Sequence, residues 1–155
     1  MQNETNLNEL YRSLTPAIRE ELSRLEEQAI VPAGTKLISH TAIPGYLIVI
    51  EQGSVEISVP AGERTVSLSV AGRGKVLGLR PVVAKVLPEI DATTLEQCTI
   101  RRIAGDTFLE LLRQHPEMYV AISKILSTDL NEAERLLRDL PRAAGKDKRP
   151  THLNC

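Results

Sequence analysis

Short apolar runs separated by glycines fill the middle of the chain, from Ile30 to Phe108. Val, Ile and Thr are frequent in these runs, and the segments Ser54–Val59 and Thr65–Val70 alternate apolar with polar residues. Such alternation is typical of strands that bury one face, and closely spaced short strands favour a sandwich or a barrel. The glycines that mark turns between the runs are Gly34, Gly53, Gly74 and Gly78. The pattern therefore predicts a mainly β fold.

A helical period precedes the strands. Apolar residues of the N-terminal segment advance in steps of three and four, at Leu7, Leu10, Leu14, Ile18, Leu22 and Leu25. Pro16 interrupts this stripe, because proline can begin a helix but cannot continue one without losing a hydrogen bond. Thr15 before it is a favourable N-cap. We predict one short helix, followed by a second from Pro16 to about Glu27.

The helical period returns after Asp106. A short helix is expected to end at His115, and a long helix is expected from Pro116 to Leu140. Apolar residues of the long helix follow a nearly heptad seam, with further apolar residues beside it: Tyr119, Ile122, Leu126, Leu130, Ala133, Leu137 and Leu140, flanked by Met118, Ile125 and Leu136. The helix either packs only on its own domain or also packs on the same helix of a partner. We expect the second arrangement, a homodimer.

Composition narrows the classes of function. A chain of 155 residues is enough for one domain with its own core, and a net charge of −1 gives no basic field for nucleic acid. Cys98 lies in an apolar run and Cys155 is the last residue, so we expect a buried, inert thiol and no disulfide scaffold. No apolar run approaches the roughly 20 residues that span a bilayer. We expect a cytoplasmic protein with no membrane partner.

Four segments occur in a characteristic order: PAGTKL (Pro32–Leu37), LIVIEQGSVEI (Leu47–Ile57), AGRGKVLGL (Ala71–Leu79) and LEQCTIRRIAGDTFLELLRQHPE (Leu95–Glu117). Together they resemble the cyclic nucleotide-binding domain family, specifically the sensor half of CRP/FNR-type bacterial transcription regulators. The resemblance implies a β jelly roll with short helices before it and a long dimerising helix after it.

The resemblance also divides the chain into four parts. These are an N-terminal helical segment (1–29), a jelly-roll sensor domain (30–115), a dimerisation helix (116–140) and a disordered tail (141–155). The tail is rich in charged and small residues and has no apolar period, which favours a solvated state.

The family binds a cyclic phosphate at a turn that falls on Gly78 in this sequence. Backbone N–H groups converge at such a turn, and glycine lets a ligand approach closely. The family's glutamate for the ribose hydroxyl falls on Leu79. Its phosphate-binding arginine and the small residue after it fall on Pro88 and Glu89. Proline offers no donor, and a glutamate adds negative charge where a phosphate would lie.

Two further observations bear on this ligand pocket. A register shifted by two within residues 84–94 places Ile90 or Asp91 at the arginine position, and neither is a cation. The Thr–Ser pair that reads adenine in the activator branch of the family falls on Ala133 and Glu134. Burying like charges together costs several kcal/mol. We therefore predict that the pocket is degenerate, with no cyclic nucleotide and no other cofactor bound in the family's manner.

Two alternatives stay open. Arg80, the one cation close to Gly78, either binds an anion in a rearranged phosphate site, lies in solvent or pairs with Glu89. A cupin-like metalloenzyme would need clustered ligands on neighbouring strands, whereas His40, His115 and His152 are isolated in the sequence. We predict no metal site and no enzyme activity.

Regulators of the resembling type continue into a winged helix-turn-helix, and the residues after Leu140 have no apolar period for one. We expect either a stand-alone sensor or a sensor that lost its output domain, with no DNA contact of its own. The predicted function is non-enzymatic regulation through dimerisation and through contacts with a protein partner or an unknown small effector.

Overall fold

A roll of β-strands lies between two groups of helices in the computed structural model, which describes residues 9–12 and 14–138. The helices in this part of the chain are α1 (Glu9–Arg12), α2 (Pro16–Leu25), α3 (Leu79–Ala84), α4 (Gly105–Gln114) and α5 (Met118–Arg138). The strands are β1 (Glu27–Val31), β2 (Lys36–Ile38), β3 (Tyr46–Gln52), β4 (Val55–Ala61), β5 (Arg64–Ala71), β6 (Val76–Leu77), β7 (Asp91–Thr94) and β8 (Cys98–Ala104). None of the described helices is both long and apolar enough to cross a membrane.

The strands form two antiparallel sheets of four. Sheet 1 has the order β1-β8-β3-β6 and sheet 2 has the order β2-β7-β4-β5. The chain passes from one sheet to the other between every pair of consecutive strands except β4 and β5, so the sheets close over one another as a roll. The predicted mainly β fold with flanking helices is confirmed.

A turn divides the apolar run that begins at Ile30 into strands of different sheets. Gly34, with φ +84°, donates its N–H to the Thr94 carbonyl at 2.8 Å. The Thr94 hydroxyl in turn donates to the Pro32 carbonyl at 2.8 Å. The roll also starts earlier than residue 30, since β1 begins at Glu27 and pairs along β8. Gly34 thus lies at a turn, as the sequence predicts.

Two apolar clusters fill the space on either side of sheet 1. The helical cluster lies between the helices and sheet 1, and the roll cluster lies between the two sheets. β3 contributes to both, because Leu47 and Val49 face the helices while Ile48 and Ile50 face the interior of the roll. A strand buried on both faces reads as a continuous apolar run, as LIVI does here.

The N-terminal helices form as the sequence predicts. The Thr15 side chain accepts the Ile18 N–H at 3.4 Å, and Pro16 takes the first helical position of α2. α2 ends at Leu25, because Glu26 is extended and leads directly into β1. Its Ile18 and Leu22 are buried in the helical cluster.

The long helix α5 packs one stripe on its own domain. The buried residues of this stripe are Met118, Ala121, Ile122 and Ile125. Ile122 is 2% exposed, so it belongs to the chain's own core and not to the partner-facing seam on which the sequence pattern placed it. Tyr119 is 47% exposed. The structure describes the backbone of α5 to Arg138 but not the side chains of Leu130, Ala133, Glu134 and Leu137. The predictions for these side chains, for Leu140 and for the tail 141–155 therefore lie outside what the structure describes.

Candidate ligand pocket at the Gly78 turn

Gly78 connects β6 to α3 and is tightly enclosed by the chain itself. Its φ of +87° is the left-handed conformation that favours glycine. A Cβ at this position would lie 3.3 Å from Ile38 Cδ1 and 3.3 Å from the Tyr46 carbonyl oxygen. The glycine is therefore required by close packing against β2 and the start of β3, whatever the turn binds.

The two residues after Gly78 point to different environments. Leu79 is 3% exposed and packs in the helical cluster, so the position of the family's ribose-binding glutamate is part of the apolar core. Arg80 is exposed and forms no ion pair with the residues that the structure describes. The predicted alternative in which Arg80 pairs with Glu89 is therefore not observed.

The segment between α3 and β7 does not place Glu89 in the pocket. α3 ends at Ala84, and Lys85 after it has the left-handed conformation, with φ +57°. The Val86 N–H donates to the Pro81 carbonyl at 3.3 Å. Pro88 is then buried while Glu89 is exposed to solvent. The carboxylate expected to oppose a phosphate at position 89 lies on the surface instead.

A different carboxylate is buried in this region. Asp91, the first residue of β7, is 1% exposed and accepts the backbone N–H of His40 at 2.8 Å. The same Asp91 Oδ1 lies 2.8 Å from His40 Nδ1, and Oδ2 lies 3.1 Å from that nitrogen. His40 is isolated in the sequence, and its partner in the fold is 51 residues away.

The electrostatic state of Asp91 follows from these contacts. Burial by itself raises the pKa of a carboxyl, but the hydrogen bonds from the His40 ring and backbone outweigh burial here, and nearby Lys36 acts in the same direction. The pKa of Asp91 is consequently held below its ordinary value of 3.8. Asp91 is ionised at neutral pH, and its charge lies against His40, whose side chain is 37% exposed.

Asp91 does not share the surroundings of Gly78. Ile38 is opposite Ala92 in the β2–β7 register, and Ile38 Cδ1 is 3.3 Å from the Cβ position of Gly78. Ala92 belongs to the roll cluster, and because side chains alternate faces along a strand, its neighbour Asp91 points away from that cluster. Arg80 is exposed, whereas binding of a phosphate in the family's manner needs a cation against the phosphate.

The sequence carried a signal for Asp91 that the family register did not use. An aspartate within the segment Ile90–Thr94, where the other residues are apolar or hydroxylic, is expected to be buried on one face of a strand. Buried carboxylates are rarely left unpaired. The sequence therefore predicts a donor for Asp91, but it does not show that this donor is His40.

The other predicted chemistry is sparse in the described part of the chain. No group of three or more His, Cys, Asp or Glu side chains there is able to hold a metal ion. His115 Nε2 lies 3.1 Å from Glu21 Oε1 and Nδ1 lies 3.7 Å from Glu117 Oε2, at the junction of α4 and α5. His152 lies outside the described residues. Cys98 is a free, buried thiol whose pKa is raised by burial, which keeps it in the unreactive protonated form.

Three of the turn glycines have distinct structural roles. Gly34 and Gly74 have φ values of +84° and +92°, and Gly53 has φ +111° at the turn between β3 and β4. A Cβ on Gly53 would lie 2.5 Å from Cys98 Sγ and 3.1 Å from Cys98 Cα. Gly53 thus lets sheet 1 and the β4 end of sheet 2 approach closely at Cys98.

The sequence profile of the cyclic nucleotide-binding domain matches residues 29–115, which is more than half of the 155-residue chain. The chain belongs to the cyclic nucleotide-binding domain family. Among curated protein sequences, none matches this chain.

Solved structures share the family fold with this chain. The catabolite activator protein of Thermus thermophilus is 18% identical with a TM-score of 0.72, and the match covers 84% of this chain and 62% of that protein. The N-terminal domain of a transcriptional regulator from Streptomyces coelicolor A3(2) is 20% identical with a TM-score of 0.64, covering 81% of this chain and 91% of that one. The sensor domain of the transcriptional regulator DNR from Pseudomonas aeruginosa is 16% identical with a TM-score of 0.66, covering 86% and 88%. The neighbours include CRP/FNR-type regulators, and this chain spans about three fifths of the activator protein's length.

Proposed function

We propose that this family member is a non-enzymatic regulatory sensor that does not bind cyclic nucleotides in the family's manner and that acts as a homodimer. Its signal passes through contacts with a protein partner or a small effector, with no contact to DNA or membrane from this domain. The observation that carries the proposal is that the positions of the family's ribose-binding glutamate and phosphate-binding arginine are the buried, uncharged Leu79 and Pro88.

The physical argument is one of charge. A cyclic phosphodiester bound at Gly78 would need a cation against it to balance its negative charge. The position of the family's phosphate-binding arginine holds Pro88, which has no side-chain donor. The exposed Arg80 is screened by water and offsets little of the phosphate's charge.

Calorimetric titration with cAMP and with cGMP tests the ligand part of this proposal. We expect no heat of binding at submillimolar nucleotide for the wild-type domain, with a cAMP-binding member of the family as the positive control. Micromolar binding would contradict the proposal. Micromolar binding that is lost in Arg80→Ala would establish the rearranged phosphate site in its place.

The dimer part of the proposal rests on the outer surface of α5. Tyr119 is 47% exposed, and Leu126 is only partly buried against the helical cluster. Tyr119 and Leu126 are seven residues apart and so lie on one stripe of the helix, beside the stripe that faces the domain. Burying this second stripe against the same helix of a partner removes apolar surface from water.

Light scattering at tens of micromolar protein tests the dimer. We expect a dimer for the wild type and a monomer for Tyr119→Glu, since a charge at the seam would be buried without a partner. Ser127→Glu is the matched control, because it adds the same charge to an exposed position of the same helix. A monomeric wild type, or a Tyr119→Glu variant that stays dimeric, contradicts this part of the proposal.

A further inference from the structure

The carboxyl group of Glu26 is buried where the N-terminal helices meet sheet 1. Its side chain is 4% exposed, although Glu26 is the single residue that connects α2 to β1. It accepts a hydrogen bond from the Tyr11 hydroxyl of α1, and it lies 3.6 Å from an Arg101 nitrogen of β8. One carboxyl group thus joins α1, the end of α2 and the central strand of sheet 1.

Charge in this network is not balanced. Arg101 also pairs with Glu51 of β3 at 3.2 Å, so one guanidinium serves two carboxylates. Glu51 accepts a further bond from the uncharged Gln28 amide at 2.9 Å. Tyr11 contributes a neutral donor. The set formed by Glu26, Glu51 and Arg101 therefore carries a net charge of −1 when both carboxyls are ionised, and one proton neutralises it.

The same contacts attach the N-terminal helices to the rest of the domain. Arg19 Nε donates to the carbonyls of Tyr11 at 2.8 Å and Leu14 at 3.1 Å, which holds α1 against α2. α1 in turn contacts the long helix α5. Loosening the Glu26 contacts would therefore loosen α1 and α2 from sheet 1 and change the packing on the base of α5.

We propose that Glu26 is a proton-operated latch, in which protonation of its buried carboxyl tightens the attachment of α1 and α2 to sheet 1. When Glu26 is ionised, the uncompensated charge is buried and the attachment is weaker. When Glu26 is protonated, the network is neutral, Tyr11 keeps its bond to the carboxyl, and Arg101 keeps its pair with Glu51. The argument for the latch does not rest on the ligand pocket or on the dimer.

The sign of the effect follows from proton linkage. Burial raises the pKa of Glu26 above its ordinary 4.5, and the Glu51 charge adds to this, whereas the Tyr11 hydroxyl and Arg101 oppose it without reversing it. Burial also raises the pKa of Tyr11, which therefore stays protonated as the donor. The attached state binds the proton more tightly, so attachment is strongest below pH 4.5 and is lost progressively as the pH rises through the raised value.

Other titratable groups on these elements must be separated from Glu26. Glu27 pairs with Arg102 at 3.0 Å on the surface, and Glu21 of α2 meets His115 at 3.1 Å. Glu20 and Arg24 form a pair on the exposed face of α2. All of these groups remain in a variant that changes Glu26 alone, so their contributions cancel in a comparison with the wild type.

Hydrogen exchange measured by mass spectrometry tests the latch on the full chain. Protection factors, corrected for the intrinsic pH dependence of exchange, are followed for peptides from residues 9–25 between pH 8 and pH 5. We expect protection in the wild type to rise as pH falls, by up to about tenfold per unit, the limit for one linked proton. Glu26→Gln should show high protection that no longer changes with pH.

Glu27→Gln is the matched control, because it removes the neighbouring, exposed carboxylate that also pairs with an arginine of β8. It should keep the wild-type pH dependence. Equal slopes in the wild type and Glu26→Gln, or protection that falls on acidification, would overturn the latch.

A second variant keeps the test decisive if Glu26→Gln does not fold. Tyr11→Phe keeps the ring in the core but removes the donor to the ionised carboxylate, so the carboxyl should take up its proton more readily and the midpoint should shift to higher pH. A purely structural role would instead lower protection equally at every pH, and that result would also overturn the proposal.

Discussion

The roll and its helical flank each bury one carboxyl group, and the pKa values of the two groups are shifted in opposite directions. Asp91 of the roll receives two hydrogen bonds from His40, and its pKa is lowered. Glu26 of the flank shares Arg101 with a second carboxylate, and its pKa is raised. Burial raises the pKa of both groups, so the hydrogen bonds and charges around each carboxylate decide the direction of its shift.

The two regions also differ in how their interiors are filled. In the roll, glycines allow backbone and side chains to approach at Cys98 and at Ile38. In the flank, larger side chains such as Phe108 and Leu112 fill the space between the helices and sheet 1.

Gly53→Ala should give the largest effect of the substitutions considered, about 4 kcal/mol in the free energy of unfolding. Alanine would be strained in the positive-φ conformation that Gly53 has, and its Cβ would overlap with Cys98. Denaturant unfolding measures the loss. Gly62→Ala is the control, since Gly62 also has a positive φ, +68°, but open space around its Cβ position, and it should lose only about 1 kcal/mol. Equal losses would show that the roll is not tightly packed at Cys98.

Asp91→Ala should destabilise the domain by about 3 kcal/mol, because the His40 N–H is left without its acceptor and a charged hydrogen bond is lost. Asp106→Ala should change the stability by less than about 0.5 kcal/mol, since its side chain is 98% exposed and only approaches Lys85 at 3.9 Å. Urea unfolding at pH 7 compares the two. An Asp91→Ala protein as stable as the Asp106→Ala control would show that Asp91 does not stabilise the domain.

The pH dependence of the Asp91 contribution has a definite sign. Because its pKa is lowered, the stabilisation is complete above the ordinary value of 3.8 and is lost as pH falls through the lower value in the folded state. Asp91→Asn should therefore be about 2 kcal/mol less stable than the wild type at pH 6, and the gap should narrow below pH 3.8. A gap that stays constant down to pH 2.5 would mean that Asp91 is not ionised in the folded protein.

Glu26→Gln should have the smallest effect on the free energy of unfolding, and it should stabilise the protein. We expect this variant to be about 1 kcal/mol more stable than the wild type at pH 7.5, since it removes a poorly compensated buried charge. The difference should vanish as pH falls towards 4.5, where the wild-type carboxyl is protonated as well. A variant that is clearly less stable at neutral pH would erase the contrast between the two carboxyl groups.

Local pattern predicted most of the fold and little of the pocket. The Thr15–Pro16 helix start and the turn at Gly53 depend on neighbours in sequence, and the structure has both. The role of Glu89 depended on a register inferred across a segment with no regular period, and the structure instead exposes Glu89 and buries Asp91. Ile122 fitted the heptad pattern, yet its place on the helix turns it towards its own domain.

The sequence by itself determined that this chain forms short strands between helices, with glycines at turns. Those features arise from propensities and periods within a few residues. Only the tertiary structure decided which donors reach the buried carboxyl groups, and which glycines have no room for a side chain. His40 and Asp91 are 51 residues apart, and Arg101 and Glu26 are joined only because β8 pairs with β1. Electrostatic interactions depend on distance in space, and the chain brings these groups together only when the sheets close.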